Sequence, residues 1–263
     1  MPDSIVFDRV AAVYDRSRFI PDTHQAAVAD GIADLAGATP DSRFFEIGIG
    51  TGRIALPLLR RGARYVGIDL SRPMMTVLRD KAAADDDLKL AQADATRLPF
   101  ADAIFDIGIV AHVFHLIPNW TDAADELCRV VDPRGGIVIC STARGEPDDG
   151  FRQAWREITQ RHGVVMRRRG AEDLQTTVRH FKARGATAEV RTLATWTVDQ
   201  PIADAFELLK SRTYSSTWSV DDAVYTAMID ELAAWIDSHV ADPTAPRRFE
   251  SRFRACRISG WDD

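Results

Sequence analysis

Apolar runs of strand length alternate with segments of helical period through the first half of the chain, a pattern that predicts a parallel sheet with helices on both faces. Strands are expected over 43–47, 64–68, 88–92 and 104–110, and another at Ile137-Val138-Ile139-Cys140. Helices are expected over 22–36, 52–61, 71–83 and 121–131; the last sets Ala123, Ala124, Leu127, Val130 and Val131 on one face. Ser71 is a fitting N-cap, with Pro73 in the first turn behind it. From about 143 the pattern changes to helices over 150–162 and 170–184, a strand over 186–198 and a helix opened by Pro201. A longer helix follows, with Ser219-x-x-Asp222 as a box-like cap and a stripe through Val224, Met228, Leu232 and Ile236; Arg248 to Ile258 reads as a final strand.

Phe44-Phe45-Glu46-Ile47-Gly48-Ile49-Gly50-Thr51-Gly52-Arg53 joins a buried strand to an acidic residue, a glycine loop and a helix start. Glycines admit a ligand where a Cβ would repel it, and a helix opening at Gly52 would offer unpaired amides to an anion. The next strand, Tyr65-Val66-Gly67-Ile68-Asp69, also ends in a carboxylate, which suits ribose hydroxyls. A dinucleotide fingerprint needs G-x-G-x-x-G, whereas the glycines here stand at 48, 50 and 52 with Arg53 in the third place. Glu46 would repel a pyrophosphate and attract an ammonium group, so the pattern favours a nucleoside that carries an amino acid.

Over roughly residues 7 to 142 the chain resembles the class I S-adenosylmethionine (SAM)-dependent methyltransferases, whose first motif is E/D-x-G-x-G-x-G. The resemblance implies a Rossmann-like α/β fold with a seven-stranded, mostly parallel sheet, helices on both faces and a helical cap inserted late. It also implies one methyltransferase domain over 1–263: lid helices at 1–36, a SAM-binding core at 40–142, a later strand and helices at 143–198, a cap at 199–245 and a final strand at 246–263. Gly48, Gly50 and Gly52 would pass beside the methionine moiety, Glu46 would support its ammonium, and Asp69 would take the ribose hydroxyls. Leu70, Ser71 and Met74 match the family's D-x-S-x-x-M/L run, where the apolar residue covers one adenine face. Asp94-Ala95 matches the D-A…L-P-F segment, in which the acid accepts from the adenine amino group. Phe7-Asp8-Arg9-Val10-Ala11-Ala12-Val13-Tyr14-Asp15 resembles the opening of the ubiquinone/menaquinone-biosynthesis group. There Tyr14 would close over the sulfonium by cation–π attraction, and Arg18 would pair with the cofactor carboxylate.

Methyl transfer is an in-line displacement, so positioning and exclusion of water matter most, and a base is needed only where the acceptor must lose a proton. Ala111-His112-Val113-Phe114-His115 follows the fourth strand at the edge where acceptors enter; His112 and His115 are the acid/base candidates, and His115 would equally serve to brace the loop. Tyr214, Trp218 and Arg212 are further candidates for an aromatic acceptor pocket, or for a plain helix-joining loop. The acceptor is expected to be a small molecule methylated at O, N or C, with S-adenosylhomocysteine as the other product. The rival readings are a SAM-binding regulatory protein without catalysis and an NAD(P)-dependent oxidoreductase.

The formal charge of -6 argues against a nucleic-acid partner, and Arg167-Arg168-Arg169, the one tight basic run, reads as a solvated turn. Cys128, Cys140 and Cys256 are widely spaced, odd in number and set in apolar segments, which predicts reduced packing residues and no metal site. No apolar run reaches membrane-spanning length and the first residues lack a secretory pattern, so a cytoplasmic setting is expected. Oligomeric state has no signature in the sequence.

Overall fold

The structure, a computed structural model, describes residues 4–8, 11, 14–17, 20–145, 147, 149–166 and 169–262, with the side chains of Arg16 and Ser17 left aside. It divides into two compact units, one of Met1–Thr142, Arg169–Ala194 and Phe253–Asp263, the other of Ala143–Arg168 and Thr195–Arg252.

The first unit is built on strands β1 (Arg43–Ile47), β2 (Arg64–Asp69), β3 (Leu88–Gln92), β4 (Ile107–Ala111) and β5 (Ile137–Arg144), with β6 (Thr187–Asp199) and β7 (Arg248–Ser259) completing a seven-stranded sheet in the order β3-β2-β1-β4-β5-β7-β6. β1 pairs in parallel with β2 and β4, β2 with β3, and β4 with β5, so the strand order reverses at β1. Crevices outside the carboxyl ends of strands at such a reversal are where open α/β sheets bind ligands. The helices of this unit are α1 (Tyr14–Ser17), α2 (Asp22–Ala36), α3 (Ala55–Leu59), α4 (Arg72–Lys81), α5 (Trp120–Val130) and, later, α7 (Leu174–Lys182). β1 and β4 are buried on both faces, which is why they read as continuous apolar runs. The core beneath the site is aromatic: Phe45 stacks on Phe105 with ring centroids 4.5 Å apart and meets Phe100 edge-on at 5.2 Å.

The second unit has its own core, in which Phe151, Ala154 and Ile158 of α6 (Phe151–Arg161) join Ile202 and Leu209 of α8 (Ile202–Lys210) and the buried stripe of α9 (Asp222–His239). Met228 and Leu232 of α9 are fully buried, as their helical spacing requires.

Three sequence expectations need correction. The helix expected from 52 begins at Ala55, because Gly52 has φ +81° and cannot join a right-handed helix. The strand expected from 104 begins at Ile107; ahead of it Phe105 makes only an isolated bridge to Val131. α9 is capped by Asp221 rather than by the box at Ser219: the Asp221 carboxylate accepts from Ala223 N at 2.9 Å and Val224 N at 3.2 Å. By contrast Ser71 caps α4 as expected, its hydroxyl accepting from Met74 N at 3.3 Å.

Candidate functional site

The glycine loop leaves β1 with three left-handed residues, Gly48, Gly50 and Gly52, at φ +63°, +55° and +81°. Its amides face inward: Gly50 N donates to Asp69 Oδ2 at 2.9 Å, Ile49 N to Ile68 O at 3.0 Å and Gly52 N to Ile49 O at 3.1 Å. The expected helix-end anion site at Gly52 is therefore absent: α3 starts three residues later and this amide is already paired. What Gly52 supplies is packing, since a Cβ there would collide with Leu78 of α4. A Cβ on Gly48 would collide with Val113, so this glycine lets the loop after β4 close against the loop after β1.

Asp69 ends β2 and holds two chain segments together. Its Oδ1 accepts from Ser71 N at 2.8 Å while Oδ2 takes Gly50 N. Burial raises its pKa, and bonds from the amides of Ser71, Gly50 and Leu70 partly restore the carboxylate. Each carboxylate oxygen has a second lone pair for a ligand hydroxyl. Glu46 lies one layer deeper. It is 2% exposed, its Oε2 accepts from Tyr65 Oη at 2.8 Å, and burial pushes its pKa up to about 8. Tyr65 ionises still less readily, because burial and the adjacent Glu46 both oppose a phenolate.

A pocket opens at the carboxyl ends of β1 to β4 and gathers Tyr14, Gly48, Gly50, Asp69, Leu70, Met74, Asp94, Ala95, Ala111 and His112. Glu46, Gly52, Ser71 and His115 are not on its surface, and Arg18 lies outside the described residues. Asp94 Oδ1 accepts from Thr96 N at 3.0 Å and Thr96 Oγ1 at 2.9 Å, which fixes the turn that carries Asp94 and Ala95. The wall also includes Phe7, which opens the N-terminal motif, Val113, and Ile5, Leu116 and Ile117, which no motif signals; the N-terminal segment and the loop after β4 bring these apolar residues together.

The N-terminal segment is tied down at two points. Ile5 N donates to Leu116 O at 3.3 Å, and Asp15 accepts from Thr51 Oγ1 at 2.6 Å while pairing with Lys81. Tyr14 meets Phe7 edge-on with ring centroids 5.5 Å apart. The Asp15 anchor has a faint trace in the sequence, as the acidic neighbour of the tyrosine, and its partner Lys81 has none.

His112 follows β4 in the left-handed region at φ +56°. A side chain held there costs roughly 1 kcal/mol, and such strain gathers at ligand sites. His115 sits in the short 3-10 turn Phe114–Leu116, where its carbonyl accepts from Gly170 N at 3.1 Å. Cys128, Cys140 and Cys256 are free and buried, and burial lifts the Cys128 thiol to about 12 and that of Cys256 to about 11. Among the described residues no three His, Cys, Asp or Glu side chains gather as a metal-ligand set, and no helix is long and apolar enough to cross a membrane.

Comparison with known proteins agrees with this geometry. The model of a family described as "Methyltransferase domain" matches residues 45–139, the stretch from β1 to β5 that supplies most of the pocket lining. The demethylmenaquinone methyltransferase of Clavibacter sepedonicus is 34% identical over 142 residues, covering 52% of this chain and 56% of that protein. The chain thus spans about half the length of the curated relatives it matches. Among solved structures, a putative methyltransferase from Bacillus halodurans C-125 shares the fold with a TM-score of 0.58 at 18% identity, over 87% of this chain and 97% of that one. A geranyl diphosphate C-methyltransferase from Streptomyces coelicolor A3(2), solved with S-adenosylhomocysteine, has a TM-score of 0.50 at 16% identity, over 89% of this chain and 80% of that one. Residues 45–139 thus match a methyltransferase-domain model, and the chain shares its fold with these solved structures.

Proposed function

We propose that the protein binds SAM in the pocket at the carboxyl ends of β1 to β4 and transfers its methyl group to O, N or C of a small-molecule acceptor. The observation that carries this reading is the convergence of Asp69 and Met74, Asp94, and His112, from three separate segments, on one pocket that Tyr14 also lines. The residues fit the cofactor. Asp69 would offer its two oxygens to the ribose hydroxyls, Leu70 and Met74 would give an apolar surface for adenine, and Asp94, which lines the same pocket, would accept from the adenine amino group. Glu46 acts from behind the pocket wall, through the strand end that it and Tyr65 support. When bound, SAM supplies an electrophilic methyl on a sulfonium. The chain's own part is to orient the acceptor in line with that methyl and to exclude water, with Tyr14, Phe7 and Ile5 as the cover. His112 would receive a proton from an acceptor that must lose one.

Calorimetry with SAM, S-adenosylhomocysteine and NADH tests the cofactor. Micromolar-scale binding of the first two is expected, and Asp69→Ala should weaken it by roughly 1.5–3 kcal/mol. Tight binding of NADH by the wild type would overturn the class. Turnover of labelled SAM against a panel of metabolites then tests catalysis. Once an acceptor is found, His112→Ala should lower kcat by about 10²–10⁴ and leave SAM affinity nearly intact. Near-normal turnover in that variant would mean that positioning alone drives the reaction.

A further inference from the structure

The seven-stranded sheet ends at β6, so one edge of that strand faces β7 and the other meets no further strand. Thr187 Oγ1 marks the paired side, donating to Ser259 O of β7 at 3.2 Å. Along the other side runs a row of backbone N–H and C=O groups open to a strand from another chain. Proteins guard such edges with short strands, prolines, bulges or lysines. β6 runs for 13 residues and holds no proline, glycine or lysine. Its fourth residue, Val190, is an apolar side chain left 46% exposed.

Residues 187–194, the part of β6 that belongs to the first unit, have both faces settled by contacts. Arg191 and Leu193 turn to α2: Arg191 Nη1 donates to Asp34 Oδ2 at 2.7 Å, and Leu193 lies against Gly31. Ala188, on the opposite face, packs on the core. Glu189, Val190, Arg191 and Thr192 stay exposed in a row, so neither neighbour wraps the outer edge. Glu189 and Arg191 are the only charged residues over 187–194, and they flank Val190. Arg191 Nε donates to Glu189 Oε1 at 2.6 Å, which with the bond to Asp34 leaves Nη2 for a third carboxylate.

We propose that the outer edge of β6 docks a second copy of this chain, the two strands running antiparallel across a two-fold axis at Val190 and joining the two sheets into one. Identical edges related by a two-fold axis can meet only antiparallel, so the register is fixed by what lies on the axis. With Val190 there, Glu189 of each copy stands opposite Arg191 of the other and the two Val190 side chains meet. With Glu189 or Arg191 on the axis, like charges stand face to face. Every other register over 187–194 sets both charges opposite uncharged residues. The edge belongs to the first unit alone and does not depend on the methyl-transfer reading.

Analytical ultracentrifugation of the full chain, from micromolar to near-millimolar concentration, should show a monomer passing into a dimer. Val190→Lys sets two ammonium groups on the axis and should abolish the dimer with an unchanged circular dichroism spectrum. Glu189→Arg sets like charges opposite each other in both pairs and should raise the dimer Kd tenfold or more. Cysteine cross-linking reads the register, since the native thiols Cys128, Cys140 and Cys256 are buried. Mild oxidation should join Val190→Cys into a covalent dimer much faster than Thr187→Cys, because residues three places from the axis lie about 20 Å from their own copies. A monomer at every concentration, a dimer indifferent to Val190→Lys, or equal cross-linking of the two cysteine variants would each overturn the proposal. If Val190→Lys misfolds, Glu189→Arg and the cross-linking decide in its place: an unchanged Kd or equal rates overturn the docking edge.

Discussion

Glu46 and His112 are the residues whose local environment is most at odds with their chemistry. Glu46 has an ordinary carboxyl pKa of 4.5 when unfolded but ionises only near 8 in the fold, where burial outweighs the bond from Tyr65. Between those values the folded state holds the extra proton, so this group's contribution falls as pH rises, by up to about 1.4 kcal/mol per unit. Glu46→Gln keeps a carbonyl oxygen for Tyr65 and has no proton to lose. Urea unfolding at pH 6 and pH 9 should show the wild type losing stability relative to the variant at the higher pH; parallel behaviour of the two proteins would mean that Glu46 is already ionised in the fold. His112 pays for its position in backbone strain at φ +56°. His112→Gly should therefore raise stability by about 0.5–1 kcal/mol, measured by thermal melting, while removing the imidazole from the pocket. A lower melting temperature would mean that the ring's packing is worth more than the strain it imposes.

At the scale of elements, what matters is how the ends of helices and strands are tied. α9 should lose about 1 kcal/mol in Asp221→Ala, since two amides of its first turn bond that carboxylate, whereas Ser219→Ala should be close to neutral. Equal effects of the two substitutions in denaturant titrations would return the cap to the box read from the sequence. The short helix α1 depends on Asp15, which joins Thr51 of the glycine loop to Lys81 at the end of α4. Asp15→Asn keeps the shape and removes the charge. It should speed limited proteolysis within the first twenty or so residues and weaken S-adenosylhomocysteine by about 0.5–1.5 kcal/mol, with little change in the global melt. Unchanged proteolysis would show that the backbone bond at Ile5 and the apolar contacts of Phe7 hold the segment unaided.

For the whole molecule, two separately packed cores mean that ligand effects should be regional. Saturation with S-adenosylhomocysteine at about a hundred times its Kd should stabilise the protein by about 2.7 kcal/mol. Hydrogen exchange should then show slowing at residues 48–52, 69–74 and 111–117, where the pocket wall is made. Slowing confined to the second unit instead would place the adenosyl ligand away from this pocket.

The alternating apolar runs determined the sheet and nearly every helix, because each element buries a face and the period of that face is local information. The glycine spacing and the two strand-ending carboxylates likewise carried the resemblance to methyltransferases, since that pattern is written into neighbouring residues. Other features came only from the tertiary structure. Gly52 looked like the start of a helix and proved to be a left-handed packing residue, because the Leu78 side chain it meets comes from α4, 26 residues further along the chain. Glu46 read as a ligand residue and stands behind the pocket wall, a position set by the strand pairing that brings Tyr65 beside it. The latch from Asp15 to Lys81 spans 66 residues, and β6 becomes an edge only through the order of the sheet. Neither has a period or a motif, because each arises where separate segments meet in space.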